Sequence, residues 1–280
     1  MKKAYIAFLL ALMYVPIALV IVYSFNASRL SSVWSGFSLN WYRELFRDRA
    51  MFTALRNSLI LAAVSSLAAA VIGTLGAVGL AWGKNAAGKT GAKSVPAKLG
   101  GIMEYLSILP IMTPEIILGM VLLVFFSLLR FPLGMFTLIL AHTCFCIPYV
   151  YLLVKARLAG LDRSYTEAAR NLGAGPWRAF LDVLLPLILP AIISGILLSF
   201  AMSFDDVIIS IFVTGPQTNT LPIRIYTQLK TGVTPKTNAL CSILFIITIL
   251  LCILAVAVLR IKPPGNGVLE DDSGKPPEKQ

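Results

Sequence analysis

Six stretches of this chain, at about 5–25, 57–82, 103–129, 133–154, 187–212 and 238–259, are long and apolar enough to cross a bilayer as helices. In hydrocarbon every backbone N–H and C=O must find a partner within the protein, so only helices and closed barrels span. Unbroken runs of this length, without period-two alternation, read as helices. Composition agrees: the chain is 58% hydrophobic and 13% charged, against about 45–50% and 25% for soluble domains. Too little lies between the runs for a separate soluble domain. The expected architecture is all-α, one integral membrane domain over residues 1–262 with six transmembrane helices. Residues 263–280, rich in Pro, Gly, Asp, Glu and Lys, are expected to be a disordered tail.

The net charge of +11 raises the question of a nucleic-acid partner, but its distribution points to lipid. With the N-terminus inside, cytoplasmic segments hold Lys2, Lys3, Lys84, Lys89, Lys93, Lys98, Lys155, Arg157, Arg163, Arg170, Arg178, Arg260, Lys262, Lys275 and Lys279, which is 15 of 24 basic residues. The opposite orientation puts the densest basic loops outside, against the positive-inside rule. Both termini are therefore expected in the cytoplasm, with membrane lipid and not nucleic acid as the surrounding partner. The first run is longer than a signal-peptide core and lacks an A-x-A site after it, so it reads as an uncleaved anchor. Cys144, Cys146, Cys241 and Cys252 form no Cys-x-x-Cys pair and read as small buried hydrophobes. His142 has no neighbours to complete a metal site; it reads as a packed or helix-bridging histidine, and no metal is expected.

Between the fourth and fifth runs lies a polar, helix-prone stretch, Glu167-Ala168-Ala169-Arg170-Asn171-Leu172-Gly173, followed after nine residues by Val183-Leu184-Leu185-Pro186. Ala168 and Ala169 leave a helix surface flat enough for another subunit to approach. Gly173 permits the left-handed turn that ends a helix, and Pro176 suits the first turn of the next. The pattern resembles the EAA loop of ABC-importer permeases, E-A-A, three residues, G, nine residues, I-x-L-P, with Val183 where Ile is usual. That resemblance implies two short cytoplasmic helices, over about 163–186, that dock in a groove on an ATPase subunit.

Gly83-Lys84-Asn85-Ala86-Ala87-Gly88-Lys89-Thr90 also matches the phosphate-binding pattern G-x-x-x-x-G-K-[ST]. A phosphate cradle needs a strand before it and a helix after it. Here an apolar helix precedes it and Gly91, Ser94, Pro96, Gly100 and Gly101 follow, so the loop reads as a basic membrane anchor instead.

Three carboxylates fall inside apolar runs: Glu115 in the third, and Asp205 and Asp206 in the fifth. Ionisable residues in spans are costly and default to function. At 1.5 Å per residue Glu115 is expected about 18 Å along its helix, near the bilayer midplane, and Asp205 about 27 Å along its own, nearer the outer face. No Lys or Arg shares those helix cores. An unpaired acid in hydrocarbon protonates or faces water, and a wet path lined by negative charge suits a cation. The alternative is a helix-end aspartate pair in outside water, with Glu115 protonated and bonded to a neighbouring helix.

The surrounding residues are more specific. Ser203-Phe204-Asp205-Asp206-Val207, Phe212-Val213-Thr214-Gly215-Pro216, Leu221-Pro222 and Asn238-Ala239-Leu240 resemble the spermidine/putrescine permeases of the PotC type. So do Tyr23-Ser24-Phe25-Asn26-Ala27-Ser28, Trp41-Tyr42, His142-Thr143-Cys144-Phe145-Cys146 and Asp162, and the likeness runs from about residue 14 to 259. It implies a type I ABC-importer permease fold in a bacterial inner membrane, importing putrescine or spermidine. It implies transport roles for Trp41, Glu115, Glu167, Ser203, Asp205 and Asp206, with Ala168, Ala169, Gly173 and Pro186 shaping the ATPase coupling segment. Most of that family carries Asp after Pro where this chain has Pro114-Glu115, a side chain one methylene longer. The implied partners are a similar second permease, a dimeric cytosolic ATPase, and a periplasmic or lipid-anchored polyamine-binding protein. ATP and Mg²⁺ would sit on the ATPase, leaving this chain without a cofactor or catalytic site.

The chemistry is consistent with that substrate. Carboxylates accept charge-assisted hydrogen bonds from ammonium groups, and aromatic faces add cation–π contact. Asp205, Asp206 and Glu115 can supply the first, Trp41 and Tyr149 the second, although Trp41 suits an interfacial anchor equally well. Two other readings stay open: an ABC permease for another solute, and a transporter or channel working without an ATPase. Lining carboxylates argue against an anion, and a free-standing carrier has no use for an EAA loop. Gly73, Gly76 and Gly79 recur every three residues and suit close helix approach. The pattern Leu109-Pro110…Pro114…Gly119 recurs as Leu185-Pro186…Pro190…Gly195, with Glu115 in place of Ala191.

Overall fold

The computed structural model describes residues 2–28, 33–86, 97–162 and 164–261. Among them there is no strand, only an isolated bridge between Asn26 and Phe37. The helices are α1 (Lys2–Tyr23), α2 (Asn40–Arg47), α3 (Arg49–Ala86), α4 (Ala97–Met112), α5 (Glu115–Leu128) and α6 (Met135–Ala159). They are followed by α7 (Ser164–Asn171), α8 (Pro176–Arg178), a π-helical turn (Ala179–Leu184), α9 (Leu185–Asp205), α10 (Ile208–Val213), α11 (Leu221–Thr231) and α12 (Pro235–Ile261). The chain divides into two compact units, Met1–Leu45 with Val233–Gln280, and Phe46–Gly232.

In the first unit α1 packs on α12. The apolar window of α1 is not buried by the rest of the chain, as expected of a helix whose surface is left to lipid or another subunit. Past its end, the Ser24 hydroxyl donates to Ile21 O and meets the Tyr42 hydroxyl at 2.7 Å. Asn26 fastens the following loop: its amide donates to Val33 O at 2.7 Å, and its Oδ1 accepts the Ser35 N–H at 3.0 Å.

The second unit is built around α3, α6 and α9. Ala62, Ala69 and Ala77 of α3, Leu138, Ala141, Val150 and Val154 of α6, and Ile188 of α9 are all buried in it. Glycine sets the spacing. A Cβ on Gly73 would stand 3.0 Å from Ile147 O and from Val150 Cβ, and one on Gly195 would stand 3.2 Å from Val150 Cα. Both α3 and α9 therefore lean on one residue of α6. The expected glycine row works at this one position: Gly76 has only Tyr151 at 3.8 Å, and Gly79 has nothing within 4 Å. A three-residue step turns a helix through 300°, so the row slides off the contact by about 60° each time.

The third and fifth apolar runs are not single straight helices. α4 and α5 meet at 110° across Thr113-Pro114. Pro114 has no N–H to continue the ladder and disfavours helical backbone at Thr113, so the chain turns there. Glu115 consequently opens α5 and does not sit in mid-helix. The fifth run breaks at Asp206, whose backbone is extended (φ −67°, ψ 127°), and α10 resumes at Ile208. The recurring Pro pattern thus makes a break at Pro114 but stays inside a helix at Pro190.

Four helices are long and apolar enough to span, or five if α4 and α5 count as one broken span. Of α12, the apolar stretch Pro235–Leu250 is shorter than a span among the described residues. Gly83–Ala86 of the phosphate-binding pattern simply continue α3. The rest of that basic loop, 87–96, the tail from 263 and the Arg163 position lie outside the described residues, as does the Cys252 side chain.

Candidate functional site

The break between α9 and α10 carries a buried polar cluster. With its own helix ended at Asp205, Asp206 turns its carboxylate onto the next one, accepting the Ile209 N–H at 3.2 Å and the Ser210 N–H at 2.8 Å. It thus acts as a cap on N–H groups that the short helix leaves without intrahelical partners. Asp206 is only 8% exposed, so it does not project into outside water. His142, on α6 and fully buried, spans the break: Nδ1 meets Ser203 Oγ at 2.8 Å and Nε2 meets Ser210 Oγ at 3.0 Å. Its Nε2 is also 3.4 Å from Asp206 Oδ2. Ser203 Oγ continues to Ser65 Oγ on α3 at 3.0 Å, which ends on Leu61 O at 2.6 Å. Four helices are tied together through one imidazole.

Asp205 differs from its neighbour in every respect. It is exposed and, among the described residues, is in no ion pair. Glu115 is half-buried at the first turn of α5. It interacts electrostatically with Tyr149 on α6. The two breaks are neighbours, because α5 packs on α10: Gly119 lies against Phe212 and Ile209. The structure therefore brings Glu115, Tyr149, Asp205 and Asp206 into one region of the second unit. Trp41 belongs to the first unit, where its indole N–H donates to Asn26 O at 2.6 Å. Among the described residues no group of three or more His, Cys, Asp or Glu could hold a metal ion.

The EAA-like stretch is a helix, a tight turn and a second helix. Asp162 Oδ1 accepts the Ser164 N–H at 2.9 Å ahead of α7, and that bonding holds its carboxyl below the usual aspartate range. α7 ends in a left-handed Gly173 (φ 85°) with Gly173 N–H bonded to Arg170 O and Ala174 N–H to Ala169 O, both at 3.0 Å. This double closure is the Schellman turn that glycine permits. Pro176 opens α8, and α8, the π turn and α9 follow without interruption, Pro186 standing in the first turn of α9. No residue of α7 is buried; Glu167 and Ala168 are exposed, Ala169 is half-buried, and Leu172 (90% exposed) and Trp177 (71%) project apolar surface outward.

A cavity of about 270 Å³ lies beside α7, lined by Tyr151, Lys155, Glu104, Asp162, Thr166 and Leu184 among others. Lys155 is ion-paired with Glu104 and lies 5.8 Å from the centre of the Tyr151 ring. Sequence reasoning passed over Glu104 because it sits at the edge of its apolar run. It passed over Ser65 and Ser210 because their partners stand 138 and 68 positions away.

Residues 85–264 match the family described as "Binding-protein-dependent transport system inner membrane component". The chain belongs to that family. It is 36% identical over 267 residues to the spermidine/putrescine transport system permease protein PotC of Shigella flexneri, covering 95% of this chain and 97% of that one. It is 40% identical over 238 residues to the putrescine transport system permease protein PotI of Escherichia coli strain K12, covering 83% and 81%. Among solved structures it resembles a bacterial ABC transporter involved in the import of the acidic polysaccharide alginate, with TM-score 0.68 at 14% identity over 94% of this chain and 95% of that one. The MetNI methionine ABC transporter follows with TM-score 0.61 at 21% identity, over 80% and 99%. At such identities the likeness is one of fold, that of the membrane subunits of ABC importers. The permease thus supplies the membrane passage of such an importer, and the acids at its two breaks must be read in that setting.

Proposed function

We propose that this permease imports polyamines as one membrane subunit of an ATP-driven complex in a bacterial inner membrane. The observation that carries the reading is the full-length similarity to polyamine permeases, joined to the acids at two neighbouring breaks. Asp205 and Glu115 are in no ion pair among the described residues, so each can accept charge-assisted hydrogen bonds from an ammonium group. Tyr149 is close enough to Glu115 to feel its charge, and an aromatic ring in the same region as a carboxylate suits an alkylammonium chain. In this reading α12 completes six spans, both termini lie in the cytoplasm, and the α7–α8 hairpin is the coupling segment. Exposed Glu167, Leu172 and Trp177 offer a dimeric ATPase a mixed polar and apolar surface. A second, similar permease and an external binding protein complete the assembly, with ATP and Mg²⁺ held by the ATPase.

The test is ATP-driven uptake of radiolabelled putrescine and spermidine by the assembled complex in proteoliposomes. Concentrative uptake that requires the binding protein is expected. An assembled, ATP-hydrolysing complex that takes up neither amine would overturn the reading in favour of a permease for another solute.

A further inference from the structure

We propose that His142 is a positioning residue of the transport site, and that Ser203 and Asp206 serve transport through it without touching the cargo. The inference rests on the reading of this chain as an amine importer, but one of its tests does not.

The directions of the hydrogen bonds carry the argument. The chain of contacts ends on Leu61 O, a carbonyl, which can only accept. The one hydroxyl proton of Ser65 is committed there, so Ser65 must accept from Ser203. The proton of Ser203 is then committed as well, so the 2.8 Å contact with His142 needs a donor at Nδ1. The network therefore fixes the imidazole with a proton on Nδ1, and Nε2 faces the Ser210 hydroxyl at the start of α10. Each end of the ring holds one side of the helix break, Ser203 before it and Ser210 after it. Asp206 completes the joint by capping α10 with both oxygens. Ser203 is 2% exposed and Asp206 8%, and their polar atoms are already engaged, so neither is presented to a passing cation. Asp205, next in line, is exposed and unpaired among the described residues. The joint fixes where that carboxylate stands.

His142 is the chain's one histidine, which gives a direct readout. The ¹⁵N spectrum of histidine-labelled complex, wild type minus His142→Gln, isolates its two ring nitrogens. A protonated Nδ1 is expected, and an unprotonated Nδ1 overturns the inference because the Ser203 link would then lack a donor. Should His142→Gln fail to assemble, Ser65→Ala gives the difference spectrum instead; a shifted Nδ1 signal is expected, and no change overturns the inference.

Transport separates a cap from a cargo ligand. Asparagine keeps one accepting oxygen toward the α10 N–H groups where aspartate has two and alanine none, so uptake should fall in graded steps, least in Asp206→Asn and by about tenfold or more in Asp206→Ala. Equal losses from the two would show that charge, and hence cargo contact, is what matters. Residues acting as a unit are non-additive, so Asp206→Ala with His142→Leu should fall within about twofold of the worse single variant; losses that multiply overturn the proposal. If the wild-type complex takes up no polyamine, the functional reading fails while the histidine spectrum still decides this one.

Discussion

A methyl group on Gly119 would stand 2.6 Å from Cδ2 of Phe212 and 3.4 Å from Cα of Ile209. That contact presses α5 against α10, and so sets the distance between the two helix breaks. Helix propensity favours Ala over Gly by about 0.5–1 kcal/mol, but overpacking costs about 1–3 kcal/mol. Gly119→Ala is therefore expected to lower the melting temperature of the purified permease. Gly79→Ala, with nothing within 4 Å, should not. Equal thermal shifts for the two would show that the α5–α10 contact is not tight.

Charge at the breaks should matter for uptake and not for assembly. Glu115→Gln and Asp205→Asn keep shape and hydrogen-bonding capacity while removing charge. An ion pair at 4 Å is worth about 1 kcal/mol in water and about 4 kcal/mol near a protein surface. Each variant should therefore lower polyamine uptake at subsaturating substrate by roughly tenfold or more. Wild-type uptake from the double variant, at matched levels of assembled complex, would show that neither acid meets the cargo.

Trp41 has two readings that one substitution separates. Trp41→Phe keeps an aromatic face but removes the N–H that bonds Asn26 O at 2.6 Å. The lost bond is worth about 1 kcal/mol. If the bond is what matters, Trp41→Phe and Trp41→Leu should both speed proteolysis of the loop around Asn26 and lower uptake alike. Full uptake by Trp41→Phe, with loss in Trp41→Leu, would assign the ring to cation–π contact.

Glu167 lies on α7, no residue of which is buried, and far in sequence from both breaks. Glu167→Ala should leave the permease in the membrane and its substrate affinity intact, while abolishing substrate-stimulated ATP hydrolysis. Normal stimulation with only a raised apparent substrate constant would place Glu167 on the cargo path.

Asp162 gives a pH prediction with a definite sign. Hydrogen bonds from the Ser164 backbone and side chain hold its carboxyl below the ordinary value. A group with a lowered folded value contributes stability above its unfolded value, about 3.9 for aspartate, and loses it as pH falls through the folded one. The start of α7 should therefore be unchanged from neutral pH down to about 4 and loosen only below it. Amide exchange at Ser164 and Tyr165 reads this directly, and loosening already at pH 5–6 would contradict it.

What could be read from the sequence depended on how local the causes were. Gly173 and Pro176 were legible because a left-handed turn and a helix start are set by the residues within a few positions. The apolar runs were legible because hydrocarbon leaves the backbone little choice. The two breaks were not anticipated, although Pro114 supplies a local cause for one; the same Pro spacing at Pro190 leaves α9 intact, so the pattern alone does not decide. Ser203 and Asp206 were picked out by resemblance, but their burial and their tie to His142 depend on partners from 61 residues away and more. The glycine row was legible as a kind of contact but not as a place, since of the three only Gly73 stands in tight approach to α6.

From Pro176 to Asp205 the chain runs as one helix of 30 residues, about 45 Å of rise. The exposed Trp177 sits at one end of that axle and the exposed carboxylate of Asp205 at the other. Torque applied near Trp177 would reach Asp205 with the π turn, Pro186 and Pro190 as points of give. No relay of side chains has to carry the message. A push on the hairpin end of that helix would shift the carboxylate at its other end through the backbone hydrogen-bond ladder.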